Sequence, residues 1–527
     1  MNGRIGFCPE PVATSLRVRS VWALLLLSLV VGFVFFAHLG GYPLFDVDEG
    51  AFAEATREML ASGDYGFPML DGAPRFDKPI LIYWLQAAAM ALFGVDTWSA
   101  RLPSAVAAVL WVFATWHFAR HRFGARPALL AATILATAIG PWAIGRAATA
   151  DAWLNLWLAL AAFDAWRHIE SHRRAPLIRA YLWMALGFLT KGPVAVLVPG
   201  AAVLLYCTAQ REWRRFWTML RDPIGWLVFL AVALPWYGYA LWREGWAFVE
   251  GFFLKHNVQR FADTLERHGG DWWYFLAVTP LLLAPWTFLL VPALTRIWAD
   301  RTVALRRFLW FWAVFVVIFF SLAQTKLPHY ALYGITPLAL LLANHQDHAR
   351  GKWLATVPVL AALIVVITAT LPALLVEVAQ RSDRLSPFHQ ALAASALEAW
   401  PVEAYLAAGA VLLLIVAFWR CQALLSSEIS ALLSAAVVCL WLAFRLLPWA
   451  GEVLQGPIQR AAVAAQGKAV VNVGLRAPSF SFYRQAITPK RPPEPGEWFV
   501  TRIDRLPEFP YTLRYEARGV VLGERTP

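Results

Sequence analysis

Apolar runs separated by short polar segments dominate the first 447 residues of the chain. A helix that crosses a bilayer needs about 20 apolar residues, and fewer where neighbouring helices shelter it. About thirteen segments meet this requirement and predict a polytopic α-helical membrane domain over residues 1–447. The predicted spans are Ser20–Leu39, Ser99–Ala119, Pro127–Gly145, Ala152–Arg167, Tyr181–Leu189, Val194–Cys207, Ile224–Leu241, Tyr274–Leu294, Phe308–Ala323, Tyr330–Ala343, Leu354–Leu375, Val402–Trp419 and Ile429–Leu447.

Three apolar segments have an ambiguous path. Tyr181–Leu189 and Val194–Cys207 are short and flank a Thr-Lys-Gly-Pro break, so they form either two spans or a re-entrant pair. Pro79–Phe93 is apolar but lies too close to the span at Ser99–Ala119 to cross the membrane separately. This segment is expected to be interfacial or re-entrant.

The pattern changes after residue 447, where the apolar runs stop. Short segments with alternating or β-branched residues occur at Ala469–Val473, Trp498–Val500 and Tyr511–Leu522, with a Pro-rich stretch at Pro489–Pro495. Such segments between turn-forming residues are typical of strands. Residues 448–527 are therefore predicted to form a small soluble α+β domain.

Composition agrees with a membrane protein. Hydrophobic residues make up 59% of the chain and charged residues 15%, against about 45–50% and about 25% in soluble domains. The net charge of +12 could indicate nucleic-acid binding, but the arginines cluster in alternate loops between the predicted spans. Clusters of this kind mark cytoplasmic loops. The chain is therefore expected to bind no nucleic acid.

One threading of the chain places all these basic loops in the cytoplasm. It gives a cytoplasmic N-terminus and an outward-facing C-terminal domain. It also places three polar loops outside, at residues 40–98, 242–273 and 324–329. Most of the residues with candidate chemistry lie in these three loops.

The first outer loop contains two adjacent acids, Asp48 and Glu49, at the start of a predicted amphipathic helix. Phe52, Ala55 and Met59 share one face of that helix, which predicts that it lies on the membrane surface. Asp48 can cap the helix, or it can serve as a catalytic base or metal ligand. The pattern leaves both interpretations open.

Each of the other polar residues in the outward-facing segments has both a structural and a functional interpretation. Lys78 either marks the interface in an ion pair with Asp77 or binds a phosphate at headgroup depth. Asp151 is either a helix cap or a functional acid at a membrane helix end. Lys326 either reaches headgroups or binds a phosphate.

His256 and Arg260 are four residues apart and therefore share a helix face. Together they suit a phosphate or a metal-bound carboxylate. The chain contains no phosphate-binding P-loop, dinucleotide fingerprint or zinc-protease motif. An outward-facing enzyme without a nucleotide site needs an activated substrate that a lipid delivers.

The order of these motifs resembles a known family. Asp48–Asp64 followed by Arg75–Pro79 is similar to the first periplasmic loop of the aminoarabinose transferases, bacterial GT-C glycosyltransferases related to the protein O-mannosyltransferases. Further motifs follow in the family's order: Asp151, Thr190–Gly192, His256 with Arg260, and Lys326–Tyr330. The number of spans and the periplasmic tail also match.

This resemblance implies roles for individual residues. Asp48 would be the catalytic carboxylate, with Glu49 and Asp151 as the other catalytic candidates. The carrier phosphate would be bound by Lys78, Arg260, Lys326 and Tyr330. Asp77 and His256 would match positions that hold a divalent metal, zinc or magnesium. The chain departs from the family pattern at four places, which are Ala51-Phe52, Asp77, Lys255 and Gln324.

The implied activity is transfer of a sugar from a polyprenyl-phosphate carrier to lipid A or another envelope acceptor. The sugar would be 4-amino-4-deoxy-L-arabinose, and the site would lie at the outer face of the bacterial inner membrane. Transfer to a protein hydroxyl, as in the protein O-mannosyltransferases, or to another surface glycan is an alternative. A transporter of lipid-linked sugars is the non-enzymatic alternative, although its acids would be expected at mid-membrane.

The charge pattern yields a testable topology. A single cysteine introduced into the C-terminal domain of a variant without native cysteines should react with a membrane-impermeant maleimide in intact spheroplasts. A cysteine in the basic loop at residues 211–215 should react only after lysis. Protection of the C-terminal cysteine in intact spheroplasts would contradict this threading.

Overall fold

The computed structural model describes residues 11–259, 269–345, 352–381, 385–421 and 425–526, with side chains from Trp22 onwards. The helices up to the second outer loop are α1 (Pro11–Phe36), α2 (Asp48–Ser62), α3 (Leu81–Phe93), α4 (Thr97–Phe123), α5 (Ala125–Thr137), α6 (Ile139–Gly145), α7 (Asp151–Ser171), α8 (Arg174–Lys191), α9 (Val194–Gln210), α10 (Trp213–Leu220), α11 (Pro223–Glu244) and α12 (Trp246–Phe248), followed by a π-helix (Val249–Gln259).

The chain then continues through a second group of helices. They are α13 (Tyr274–Leu282), a 3-10 helix (Thr287–Leu289), α14 (Leu290–Leu294), α15 (Ile297–Asp300), α16 (Ala304–Leu322), a 3-10 helix (Pro328–Gly334), α17 (Ile335–His345), α18 (Thr356–Arg381), α19 (Pro387–Ala394), α20 (Val402–Arg420), α21 (Ser427–Trp441), a π-helix (Leu442–Leu446), α22 (Leu447–Leu454) and α23 (Gly456–Ala464).

The predicted polytopic helical architecture is confirmed, whereas the count of about thirteen spans stays a prediction. Six helices of the described chain are long and apolar enough to cross a membrane, or eight if each of two bent pairs is one span. Other helices of the bundle contain charged side chains. In α7, for example, Asp164 is buried against Arg167 and Arg179. Neighbouring helices can shelter such charges from lipid.

Two predicted spans are broken. Pro127–Gly145 divides into α5 and α6, which meet at 62°, and Tyr274–Leu294 bends by 116°. By contrast, the short segments around the Thr-Lys-Gly-Pro break extend to α8 and α9, of 18 and 17 residues. At 1.5 Å per residue each is about 26 Å long, close to the thickness of the hydrocarbon core. These lengths favour two spans over a re-entrant pair.

The first outer loop folds into α2, a two-residue hairpin and α3. The hairpin pairs β1 (Met69–Leu70) with β2 (Ala73–Pro74). The expectation that α2 lies on the membrane surface is wrong, because α2 is buried from Glu49 to Met59 on all its faces. The C-terminal domain covers the side of the helix that the polar residues occupy.

The C-terminal domain contains a four-stranded sheet, as the strand pattern predicts. The strands are β3 (Val470–Asn472), β4 (Trp498–Arg502), β5 (Tyr511–Ala517) and β6 (Val520–Arg525), in the order β3-β4-β6-β5, with α24 (Ser479–Arg484) after β3. The predicted strand Tyr511–Leu522 is two strands, since Arg518 and Gly519 turn the chain with φ of 47° and 81°. The β3–β4 pair is parallel and the other pairs are antiparallel.

The start of α24 rests against the start of α2. Ser479 donates its backbone N–H to Asp46 Oδ1 at 3.0 Å, and its hydroxyl binds the other carboxylate oxygen. A Cβ on Gly50 would lie 2.7 Å from the Ser479 nitrogen, so only glycine permits this approach. Tyr483 adds a hydrogen bond of 2.6 Å from the Leu44 amide to its hydroxyl. The C-terminal domain is thereby fixed beside the first outer loop.

Candidate active site

A cavity of about 450 Å³ lies where the first predicted outer loop, the start of α7, the end of α8 and the C-terminal domain meet. Its walls bring together residues that are up to 443 positions apart in the sequence, from Val47 to Lys490. Both acidic and basic side chains line the cavity. They are Asp48, Asp71, Asp77 and Asp151 among the acids, and Arg75, Lys78, Lys191, Arg476 and Lys490 among the bases, with His329 beside them.

Asp48 is exposed to this cavity at the first turn of α2. The residue in the capping position is Val47, and no side chain caps this helix end. No hydrogen bond to the Asp48 side chain exists within the described residues, although its charge acts on Arg75. The capping interpretation of Asp48 is therefore wrong, and its carboxylate is available to a ligand.

Glu49 has a different environment from its neighbour. Arg101, which is fully buried, donates to both carboxylate oxygens of Glu49 at 2.9 and 2.8 Å. The backbone amides of Ala148 and Phe45 add bonds of 2.7 and 2.8 Å. Glu49 is absent from the cavity wall. The sequence-based assignment of Glu49 as a catalytic candidate is not supported, because its oxygens already hold the loop together.

The segment before α3 places two cations and an acid on the cavity wall. Arg75 is buried, donates to the Tyr83 hydroxyl at 2.9 Å and lies 3.2 Å from Asp77. Lys78 Nζ donates to the Asp77 carbonyl at 3.0 Å. Since Arg75 is fixed on one side by Tyr83 and on the other by Asp77, its charge is positioned before any ligand arrives.

Asp77 and His256, which the family resemblance assigns to one metal site, contact each other. His256 Nε2 lies 2.6 Å from Asp77 Oδ1. Burial raises the pKa of Asp77, but the hydrogen bond from His256 and the charges of Arg75 and Lys78 outweigh it and hold this pKa well below its usual range. Asp77 is therefore ionised and accepts a hydrogen bond from His256.

The described residues around Asp77 and His256 do not fit a resident metal site. Zinc sites use three or four protein ligands, whereas these two donors bind each other directly and no third His, Cys, Asp or Glu joins them within the described chain. The imidazole–carboxylate bond explains their contact without a metal.

A group of three carboxylates does occur nearby, in Glu54, Glu58 and Asp71. Each already has protein partners: Arg57 binds Glu54 twice at 2.7 Å, and the amides of residues 71 and 72 bind Glu58. Asp71 accepts a bond from Ser481 at 2.8 Å. These acids connect α2 and the hairpin to the C-terminal domain.

Asp151 begins α7 at the floor of the cavity. Lys191 Nζ lies 2.5 Å from Asp151 Oδ1, and the Tyr333 hydroxyl lies 3.5 Å from the same oxygen. The ammonium group of Lys191 also faces the rings of Tyr330 and Tyr333, each at 5.7 Å. Asp151 is thus a buried counter-ion that holds Lys191 at the cavity.

The four residues expected to bind the carrier phosphate have different environments. Lys326 Nζ donates to the carbonyls of Ser321 and Ala323 at 2.8 Å, at the end of α16, and does not line the cavity. Tyr330 is buried under Lys191. Arg260 lies outside the described residues. Among the three of these residues that the structure describes, Lys78 lines the cavity.

Sequence reasoning missed several residues of the cavity. Lys191 was visible only as part of a helix break, and His329 only as part of a short loop. Asp71 follows a two-residue strand that has no clear pattern. Arg476 and Lys490 lie in the C-terminal domain, where no local signal connects them to residues more than 380 positions earlier. Of these residues, Lys191 and His329 lie within segments that the family resemblance includes.

The fold defines the class of protein first. The crystal structure of ArnT from Cupriavidus metallidurans bound to undecaprenyl phosphate matches with a TM-score of 0.78 at 23% identity, over 96% of this chain and 98% of that chain. Its apo form matches with a TM-score of 0.73 at 22% identity, over 97% and 98%. The chain therefore has the GT-C fold of a multi-pass membrane protein.

Sequence comparison then identifies the particular relatives. The undecaprenyl phosphate-alpha-4-amino-4-deoxy-L-arabinose arabinosyl transferase of Edwardsiella ictaluri is 33% identical over 333 residues, which are 62% of this chain and 60% of that protein. The enzyme of the same name from Pseudomonas aeruginosa strain UCBPP-PA14 is 32% identical over 334 residues, 62% and 59%. The chain thus spans about three-fifths of the length of these relatives.

A family model described as dolichyl-phosphate-mannose-protein mannosyltransferase matches residues 77–239. The matched part begins at Asp77 and includes α3 to α10, most of α11, Asp151 and Lys191. The resemblance to aminoarabinose transferase-like GT-C proteins, which the first-loop motifs indicate, is confirmed by these matches.

The different environments of two adjacent acids give a testable contrast. Glu49→Gln should lower the thermal stability of the purified protein, because loss of one partner in a buried ion pair typically costs about 3–5 kcal/mol. Asp48→Asn, one residue earlier, should leave the unfolding temperature unchanged. Thermal unfolding followed by intrinsic tryptophan fluorescence measures both variants. Equal unfolding temperatures for the wild type and Glu49→Gln would contradict the role assigned to the Glu49–Arg101 pair.

Proposed function

We propose that this protein is a glycosyltransferase that moves a sugar from a polyprenyl-phosphate carrier to lipid A or another envelope acceptor. The observation that carries the proposal is the cavity in which a free carboxylate, Asp48, faces a wall of fixed cations. The relatives' names support it, since they describe transfer of 4-amino-4-deoxy-L-arabinose from undecaprenyl phosphate. We propose the same sugar for this chain.

The fold and the charge pattern support the proposed location. The active site lies at the outer face of the bacterial inner membrane, with the N-terminus in the cytoplasm and the C-terminal domain in the periplasm. The polyprenyl chain stays in the lipid while its phosphate reaches the cavity at headgroup depth. This arrangement supplies an activated sugar where nucleotide sugars are absent.

The cations of the wall bind and stabilise the carrier phosphate. Lys78 and Arg75 belong to one segment, and Arg75 is already oriented by Tyr83. As the bond between the sugar's anomeric carbon and the phosphate oxygen breaks, the electron pair stays on the phosphate. A phosphate needs no proton to leave, so fixed positive charge is the catalytic requirement.

Asp48 acts on the other side of the sugar. If the acceptor is a hydroxyl, Asp48 removes its proton as a new bond forms between the acceptor oxygen and the anomeric carbon. If the acceptor is a phosphate of lipid A, the nucleophile is already ionised, and Asp48 stabilises positive charge that develops on the sugar. Its lack of a protein hydrogen-bond partner in the described chain supports either role.

The C-terminal domain supplies two cations for the acceptor. Arg476 is exposed on the cavity wall and has no ion pair with any described residue. Lys490 lies 3.2 Å from Asp71 and keeps 62% of its side chain exposed. Both are suited to the phosphate groups of an acidic acceptor such as lipid A. We assign them to the acceptor side because the carrier-side cations come from the membrane domain.

Transfer to a protein hydroxyl is the second candidate. It is favoured by the match of residues 77–239 to a family described as protein mannosyltransferases. The two candidates differ in the acceptor alone. Incubation of the purified protein with a polyprenyl-phosphate sugar and either lipid A or a serine-rich peptide tests both, with product masses as the readout. Absence of transfer to either acceptor would refute the proposed enzyme.

The catalytic assignment predicts the effect of one substitution. Asp48→Asn should reduce transfer by about 10²–10⁴-fold, the range typical of losing a positioned acid or base. Asp64→Asn is the matched control, because it makes the same change in the same loop away from the cavity wall. Transfer rates at equal protein amounts give the comparison. Asp48→Asn activity near that of Asp64→Asn would exclude Asp48 as the catalytic carboxylate.

Carrier binding predicts a second effect. Lys78→Met should weaken binding of undecaprenyl phosphate by about 10–100-fold, as expected for the loss of a hydrogen bond to a charged group worth about 1.5–3 kcal/mol. Lys468→Met, which removes a lysine of the C-terminal domain outside the cavity, should bind like the wild type. Titration with the carrier alone measures this effect without any transfer. Unchanged affinity in Lys78→Met would remove Lys78 from the carrier site.

A further inference from the structure

A second cavity, of about 730 Å³, lies between α4, α7 and α8. Asp151 of the candidate active site begins α7, whereas Arg167 and Ser171 of this cavity lie 16 and 20 residues further along the helix. At 1.5 Å per residue that separation is about 24–30 Å, the thickness of the hydrocarbon core. The second cavity therefore opens at the opposite membrane face from the active site.

The rim of this cavity is cationic. His117, His121 and Arg122 project from the last turns of α4, where the first two are four residues apart and share one face. Arg167 comes from α7, and Arg173 with Arg179 comes from the beginning of α8. Three helices thus direct basic side chains to one opening.

Acidic partners neutralise only part of this charge. Asp164 binds Arg167 at 3.0 Å and Arg179 at 2.8 Å, and Glu170 pairs with Arg122. Four arginines therefore face two carboxylates. Within the described chain, the guanidinium of Arg173 has no ion pair.

The floor of the cavity is apolar. Phe118 and Phe163 stack at 4.1 Å with an interplanar angle of 6°, and Leu160 and Ala114 extend this surface. A cationic rim above an aromatic and aliphatic floor complements a molecule with an anionic head and an apolar body. The positive-inside rule accounts for arginines on the cytoplasmic side. It does not explain why several of them surround a single apolar cavity.

We propose that this cavity binds the phosphate group of an anionic phospholipid at the membrane face opposite the active site. Basic pockets between transmembrane helices are a recognised setting for acidic headgroups. Arginine suits the task because its planar donors match phosphate oxygens. The same chemistry would accept a free phosphate, so the test separates the two sources. The proposal does not depend on the proposed transfer reaction.

Native mass spectrometry of the purified full-length protein tests the site. The protein is titrated in detergent with phosphatidylglycerol, with zwitterionic phosphatidylethanolamine, and with inorganic phosphate. We expect the wild type to retain phosphatidylglycerol in preference to phosphatidylethanolamine. Arg173→Gln and Arg122→Gln should each weaken this retention by about fivefold, as expected for one basic residue near an acidic lipid.

Arg214→Gln is the matched control, because it removes an exposed arginine of the same face, outside the cavity. It should retain phosphatidylglycerol like the wild type. Displacement of the lipid by millimolar inorganic phosphate would support the anion site and assign it to free phosphate. Equal retention in Arg173→Gln, Arg122→Gln and Arg214→Gln, or equal retention of both lipids by the wild type, would overturn the proposal.

Discussion

The position of Asp48 depends on the buried ion pair between Glu49 and Arg101. Arg101 also donates to the carbonyls of Leu39, Tyr42 and Pro43, so one guanidinium fixes the whole connection between α1 and α2. Two ions this deeply buried are costly to desolvate, and they are stable only when their remaining hydrogen-bond capacity is satisfied. The amides of Ala148 and Phe45 meet that condition for Glu49.

The consequence for Asp48 follows from helix geometry. Successive residues of a helix point about 100° apart, so a Glu49 held towards Arg101 forces Asp48 towards the cavity. Glu49 therefore has a structural role in the ion pair with Arg101, whereas Asp48 faces the cavity. Four donors occupy the oxygens of Glu49, whereas the oxygens of Asp48 have no such partners among the described residues and can contact a ligand.

The C-terminal domain forms part of the cavity wall. Its helix α24 binds the loop before α2 through Ser479 and Asp46, and its own cations complete the cavity wall. Burial in this contact raises the pKa of Asp46 to about 7, despite the hydrogen bonds from Ser479. Because α2 is enclosed between the membrane helices and this domain, the loop that carries Asp48 has little freedom to move.

The sequence by itself determined the membrane class, the small C-terminal sheet and the motifs of the first outer loop. Apolar run length, strand alternation and the order of Asp48, Asp77 and Lys78 are local properties, and each is readable over a few residues. Tertiary structure decided which polar groups share a cavity. Glu49 and Asp48 look equivalent in sequence, and Lys326 looks like a phosphate ligand. In the structure, Arg101 binds Glu49, and carbonyls at the end of α16 bind Lys326. These contacts show that both charged groups have a structural role, whereas Asp48 is available to a ligand. Those partners lie in different elements, and hydrogen bonds across such distances in sequence leave no local pattern.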